Sequence, residues 1–259
     1  MTLPLASAFA TRLEFLDECG STNTELMARA ADAWPDFSVV ATANQTAGRG
    51  RLNRVWVAPP GQTLAVSVLL RPTFSLESFG WLPLIAGLAM ARAVGQQLPS
   101  SGSVAIKWPN DVQVDGLKVS GLLAELLPTA DGVVIGAGLN LTIPADGLPT
   151  PNATSLVLNG ADPDDLLDRA LAAYLRELKQ LYVRFAEHDG DAEASGIRLL
   201  VQQQCSTVGQ QVRIELPGGT TRFGDATGID GLGRLLYTDR ADGTVQAVAA
   251  GDVTHLRYE

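Results

Sequence analysis

Residues 106–127 read IKWPNDVQVDGLKVSGLLAELL, and the parsing of this stretch decides the fold. Apolar and polar positions alternate on either side of Asp115-Gly116, a pair suited to the tight turn of a β-hairpin. The segment therefore reads as a strand, a turn at the proline, a hairpin and a longer strand. Outward from it, GVVIGAGLNLTI (132–143) and TLAVSVLLRP (63–72) are unbroken apolar runs, the pattern of strands buried on both faces. SVVATA (38–43) is a shorter β-rich run, and residues 44–61 form a long polar loop. Residues 76–98, rich in Ala and Leu, predict a buried helix in spite of Pro83. CGSTNTELMARAADAW (19–34) reads as a loop entering a helix, with Thr22 and Glu25 at capping-box spacing. Asp162-Pro163-Asp164-Asp165 combines an N-cap, a first-turn proline and first-turn acids, and predicts an amphipathic helix to about His188. After Gln204 the pattern changes to short β-type runs punctuated by PGG, IDGLG and ADG. That predicts a small all-β barrel or sandwich of about fifty residues. The expected division is 1–206 and 207–259.

Composition narrows the function. The chain has 259 residues, 46% hydrophobic and 18% charged, which excludes intrinsic disorder. Its longest stretch without a charge, residues 55–70, is broken by Pro59-Pro60-Gly61, so no membrane span is expected. MTLPLASAFATR at the start lacks a basic region ahead of an apolar run, so no signal peptide is expected. Two cysteines, Cys19 and Cys205, cannot build a disulfide framework and suit a reducing cytoplasm. The formal net charge of −9 is poor for a non-specific nucleic-acid binder. From Phe37 to Asn110, however, one acid (Glu77) faces six bases. One cationic stretch in an acidic chain points to a focused anion site.

Several chemistries are disfavoured. Two histidines, His188 and His255, and no cysteine cluster argue against a zinc site, and neither histidine lies near a nucleophile-elbow motif. No Walker A motif occurs, and Gly136-Ala137-Gly138 lacks the third glycine of a dinucleotide fingerprint. Those glycines read instead as a strand that permits close backbone approach, for instance by a ligand. GRGRLNR (48–54) places three guanidiniums in a glycine-flanked loop, which can wrap an anion or simply be solvated. The chain has only three lysines, and two of them, Lys107 and Lys118, fall in the hairpin segment. A compact ammonium suits a tight pocket beside a carboxylate or phosphate. Asn110 and Asp111 offer oxygen ligands of the type a Mg²⁺–nucleotide site uses, or form a plain turn.

GSTNTEL, QTAGRGRLNRVW, KWPNDV, KVSGLLAEL and VIGAGLNL follow one another in the order and approximate spacing of the biotin protein ligases. GDATGIDGLGRLLY and GDVTHLR resemble the small β-barrel that ends those enzymes, so the resemblance spans about residues 14–257. It implies an α+β fold: a mixed sheet with helices, the biotin/lipoyl ligase-like catalytic domain, plus a small C-terminal SH3-like β-barrel. It also implies activation of biotin by ATP and Mg²⁺ to biotinyl-5′-AMP, then transfer to a lysine of a biotin carboxyl carrier protein of acetyl-CoA carboxylase. By resemblance, Ser21, Thr22, Asn23 and Gln45 meet biotin, with Arg49, Gly50, Arg51 and Lys118 around its carboxylate. Lys118, Arg49 and Arg51 are the expected catalytic groups, acting electrostatically. Arg54, Trp56, Lys107, Asn110 and Asn140 are expected at ATP or the adenylate, and Asp111 at Mg²⁺. Gly121 is expected to let its strand pack closely on the ligand. Asn53 and Ala58 depart from the glycine and serine the family often has there. Some relatives add an N-terminal helix-turn-helix; with the resemblance starting near Glu14 and a net negative charge, direct DNA binding is not expected. The family includes homodimers and monomers, so a homodimer stays open. A lipoate–protein ligase or octanoyl transferase on the same fold and a non-catalytic small-ligand binder or sensor are the rival readings.

Overall fold

The structure is a computed structural model and describes residues 2–51, 54–57, 59–99, 103–216, 219–249 and 252–255. Asn53 and Ala58 lie outside the described residues. The chain opens with a short helix, α1 (Pro4–Ser7), then β1 (Arg12–Leu16), α2 (Thr22–Ala31) and β2 (Ser38–Thr42). A small hairpin, β3 (Gly48–Arg49) and β4 (Val55–Trp56), precedes β5 (Thr63–Leu70) and the long helix α3 (Leu82–Gln97). Four strands follow: β6 (Val104–Lys107), β7 (Asp111–Val114), β8 (Leu117–Leu126) and β9 (Val133–Asn140). Helices α4 (Leu166–Ala186) and α5 (Ile197–Gln204) lead to β10 (Gln211–Glu215), β11 (Thr221–Ile229), β12 (Leu235–Asp239), β13 (Val245–Val248) and β14 (Asp252–His255).

The seven-stranded sheet runs β1-β2-β5-β9-β8-β7-β6; β1 and β2 are parallel and every other pairing is antiparallel. The unbroken apolar runs of β5 and β9 lie at its centre, paired over their full lengths and buried at every position. A strand there must be apolar on both faces, because helices cover each side. On one face α3 and α4 pack over Val39, Leu64, Val66, Val68, Ile135 and Leu139. On the other, α2 sets Leu26 and Ala30 against Val40, Leu69, Leu127 and Val134. Each buried Val, Leu or Ile among them contributes about 1.5–3 kcal/mol by leaving water.

Helix α3 is the buried helix read from the sequence, but its first part is a separate 3₁₀ turn, Leu76–Trp81. Pro83 thereby falls in the first turn of α3, where its missing N–H costs nothing. The segment Leu76–Gln97 is long and apolar enough to cross a membrane by length and composition, yet 67% of that window is buried inside the protein. It is a core helix.

Two helix starts differ from the sequence reading. No capping box forms at α2: Ser21 is the N-cap without a side-chain bond, and Glu25 pairs with Arg29 at 2.7 Å. The Thr22 hydroxyl is turned toward Gln45 and Ser67 instead. Helix α4 begins at Leu166 rather than Pro163, after Asp165 in a left-handed conformation. Asp162 accepts the Asp164 N–H in a local turn, so its oxygen closes that turn rather than capping a helix. Asp168, one turn in, is 8% exposed, and its oxygens accept the N–H groups of Leu5 (3.0 Å) and Ala6 (2.9 Å). Asp168→Ala is expected to undock α1 at a cost of about 2 kcal/mol. Calorimetry would show a lowered Tm and amide exchange would accelerate at Leu5 and Ala6, with ligand binding unaffected on the opposite sheet face. An unchanged Tm would refute this anchoring.

The second sheet, ordered β13-β12-β11-β10-β14, is antiparallel throughout and SH3-like. Its buried Val212, Ile214, Ala226, Ile229 and Leu235 belong to the same apolar cluster as α3 and α4. Two indoles stitch the parts together: Trp81 Nε1 donates to Gly231 O at 2.7 Å and Trp108 Nε1 to Gly233 O at 3.2 Å. The Trp108 N–H also donates to Thr207 Oγ1 at 3.0 Å.

Candidate active site

Where β8, β9 and β5 lie side by side, one face of the main sheet is nearly bare. Gly121 pairs with Gly138, Leu123 with Gly136, and on the other flank Ala65 with Gly138 and Ser67 with Gly136. Alternation puts these residues on the face that α2 covers further along. Beyond the reach of α2 this face floors a cavity of about 550 Å³.

One end of the cavity carries hydrogen-bonding groups without net charge. Ser21, Thr22 and Asn23 start α2, and Gln45 follows β2. The Thr22 N–H and Oγ1 both donate to Gln45 Oε1, at 3.0 and 3.3 Å, so the Gln45 Nε2 is the donor end left over. Ser67 Oγ lies 2.8 Å from Thr22 Oγ1 and 2.6 Å from Asn23 Oδ1. Asn23 Nδ2 donates to Glu125 Oε2 at 2.6 Å and Leu123 O at 3.3 Å.

The other end is cationic. Arg51 and Arg54 come from the β3–β4 hairpin, Lys107 from the end of β6 and Lys118 from the start of β8, while Arg49 of the same hairpin turns its guanidinium toward the α2 end. Lys118 Nζ pairs with Asp111 Oδ1 at 2.7 Å, and Arg51 donates to Asn110 Oδ1 at 3.2 Å. Burial pulls the Arg51 guanidinium below its usual pKa, with Arg54 adding to the effect and Asp111 opposing it. A guanidinium remains charged at neutral pH all the same. Arg49 pairs with Glu125 Oε2 at 2.9 Å.

The segment 44–61, read from sequence as an irregular loop, contains the β3–β4 hairpin, with Gly48 opposite Trp56. Gly50 spends its N–H on Arg54 O at 2.7 Å. Trp56 lies flat on the glycine floor: a Cβ at Gly138 would overlap its indole, and one at Gly121 would come within 3.1 Å. Lys118 Nζ stands 5.6 Å from the Trp56 ring centre, in cation–π range. Asn140 is buried, its Nδ2 donating to Thr154 O at 2.9 Å. Asn140 Oδ1 and Trp56 Nε1 are buried polar atoms without partners in the wall of the cavity, which suits a polar ligand.

Every residue expected from the sequence at biotin, ATP or metal lines this one cavity. Sequence reasoning missed Ser67 and Glu125, although a serine and an acid inside otherwise apolar strand runs were visible signals. It also missed Pro149, Thr150 and Ala153, and named no residue of the C-terminal sheet, of which Glu215 and Val253 line the cavity. Among the described residues no group of three or more His, Cys, Asp or Glu could hold a metal. One carboxylate among several cations suits Mg²⁺, which keeps waters and takes phosphate oxygens as ligands.

Uncharged hydrogen-bonding groups at one end and cations at the other suit an acid with a neutral head beside a nucleotide phosphate, the layout of an acyl-activating ligase. The comparisons specify the family. The model of the "Biotin/lipoate A/B protein ligase family" matches residues 18–140, and that of the "Biotin protein ligase C terminal domain" matches residues 207–256. A biotin–[acetyl-CoA-carboxylase] ligase from Mycobacterium tuberculosis is 38% identical over 250 residues, 95% of this chain and 90% of that protein. The biotin protein ligase of Aquifex aeolicus, solved with biotin and ATP, superposes with a TM-score of 0.75 at 26% identity, covering 96% of this chain and 100% of that one. The Leishmania major enzyme, solved with biotinyl-5-AMP, gives a TM-score of 0.56 at 26% identity, covering 93% of this chain and 99% of its own. The chain belongs to the biotin/lipoate A/B protein ligase family.

Proposed function

We infer that the chain is a biotin protein ligase: it activates biotin with ATP and transfers the biotinyl group to an acceptor protein. The observation that carries this reading is the polarity of the cavity, with uncharged donors and acceptors at one end, four cations around Asn110 and Asp111 at the other, and Arg49 between the hairpin and the uncharged end. In the first step a carboxylate oxygen of biotin attacks the α-phosphorus of ATP. An acyl–phosphate bond forms and diphosphate leaves. Arg49, Arg51 and Lys118 offset the approach of two anions and the charge on the phosphorane. Arg54, Lys107, Asn110, Trp56 and Asn140 are proposed to hold the nucleotide. Asp111 would hold Mg²⁺ with the phosphates, where the ion supplies charge neutralisation. In the second step the ε-amine of an acceptor lysine attacks the acyl carbon, an amide forms and AMP leaves, with Lys118 stabilising the oxyanion.

The acceptor is proposed to be the biotin carboxyl carrier protein of acetyl-CoA carboxylase, as the name of the mycobacterial relative suggests. Residues 1–206 are proposed as the catalytic unit and 207–259 as the small β unit. Both cysteines are free and buried, which suits the cytoplasm. Direct DNA binding is not proposed, given the net charge of −9.

The test is exchange of labelled diphosphate into ATP with Mg²⁺, comparing biotin, lipoate and octanoate. Exchange with biotin alone is expected. Exchange with lipoate or octanoate instead overturns the assignment of the neutral end to a ureido head, and binding of biotin without exchange reinstates the sensor.

A further inference from the structure

We propose that Glu125 is a positioning residue that fixes how the cavity reads the head of its ligand and ties that reading to the Arg49 hairpin. The proposal rests on the biotin reading above. Glu125 stands on β8, two and four residues beyond Leu123 and Gly121, on the same sheet face. One of its oxygens, Oε2, receives both Asn23 Nδ2 (2.6 Å) and Arg49 (2.9 Å).

A carboxylate can only accept hydrogen bonds, so it dictates which way the Asn23 amide turns. The NH₂ group goes to Glu125 and Leu123 O, and Oδ1 is left against Gly136. Ser67 occupies one lone pair of that oxygen. The second remains as an acceptor for a ligand N–H. A cyclic urea has two N–H donors and one carbonyl, so the polarity of this one amide decides whether it is matched. With Glu125 neutral, the amide can turn its NH₂ to the cavity and set donor against donor. The same carboxylate oxygen also holds Arg49, which brings β3 down toward the sheet. Head recognition and hairpin position thus share one acceptor.

Glu125→Gln keeps the shape and removes the charge. In diphosphate exchange, KM for biotin is expected to rise about tenfold or more, the scale of a hydrogen bond to a charged group. KM for ATP is expected to rise by less than KM for biotin, because Glu125 reaches the nucleotide-binding groups only through the hairpin that carries Arg54 and Trp56. The double variant with Asn23→Ala is expected to raise biotin KM by clearly less than the product of the two single effects, since part of the Glu125 effect runs through that amide and the rest through Arg49. The carboxylate is only 23% exposed, so the melting temperature is measured alongside. An unchanged biotin KM, a parallel rise in ATP KM, or full multiplication of the two single-variant effects overturns the proposal. Wild-type protein that shows no biotin-dependent exchange defeats the underlying reading instead, and is distinguished because it needs no variant.

Discussion

Lys118→Ala is expected to lower kcat/KM for diphosphate exchange by about 10²–10³-fold, the usual loss when a preorganised charge aimed at a transition state is removed. The structure explains why so flexible a side chain can be preorganised. The Lys118 N–H donates to Asn152 O at 2.7 Å and its carbonyl accepts from Thr154 N at 2.8 Å, so both sides of its peptide are clamped. Its ammonium is then held by Asp111 at 2.7 Å and stands over the Trp56 ring. The ion pair is partly solvated, with side chains 35% and 23% exposed, and contributes at most about 1 kcal/mol to stability. The variant should therefore fold, with a Tm close to the wild type. Lys118→Arg is expected to recover little, because a planar fork cannot occupy the place of a compact ammonium. Turnover of Lys118→Ala within a few-fold of wild type would remove Lys118 from the chemistry.

Gly136→Ala is expected to raise the Kd for biotin by about 10²-fold, equivalent to losing roughly 3 kcal/mol of hydrogen bonding at the neutral end. A Cβ there would overlap Asn23 Oδ1 and come within 2.9 Å of its Cγ. Asn23 cannot swing aside cheaply, because Glu125, Leu123 and Ser67 hold its amide from three directions. The added methyl is therefore expected to dislodge the whole Asn23–Ser67–Thr22 chain, the group proposed to meet the ligand head. Gly231→Ala serves as the control, since a Cβ at Gly231 meets nothing within 4 Å. Calorimetric titration of biotin into both variants decides the matter. Wild-type affinity in Gly136→Ala would mean that Asn23 is not a ligand contact.

Much of the architecture is legible in the sequence because the central strands announce themselves. β5 and β9 carry apolar residues at nearly every position, and that pattern has one physical outcome, burial on both faces. The cationic groups are legible for a different reason. Arg49, Arg51 and Arg54 are adjacent in sequence, and Lys107 and Lys118 stand out in a chain with three lysines. What escapes the sequence is set by tertiary competition for the same atoms. Thr22 has the spacing of a capping residue, but its hydroxyl is taken by Gln45 and Ser67, which lie far along the chain. Asp162 has the composition of an N-cap, but a local turn uses its oxygen first. Glu125 and Ser67 carry no motif of their own, and their importance emerges only when β5, β8 and β9 are aligned.

The two indole bonds from Trp81 and Trp108 to the carbonyls of Gly231 and Gly233 bear on how the chain could be recombined. A boundary drawn at residue 207 looks like a natural seam for exchanging the last fifty or so residues with those of a relative. The shared apolar cluster makes it a cut through a single interior. A graft would have to bring the IDGLG turn with its two carbonyls in place, together with Glu215 and Val253 of the cavity lining. Chimeras that keep residues 76–108 and 207–255 from one parent preserve both sides of that contact. Those that mix parents there ask two tryptophans to find acceptors in a turn shaped for a different helix.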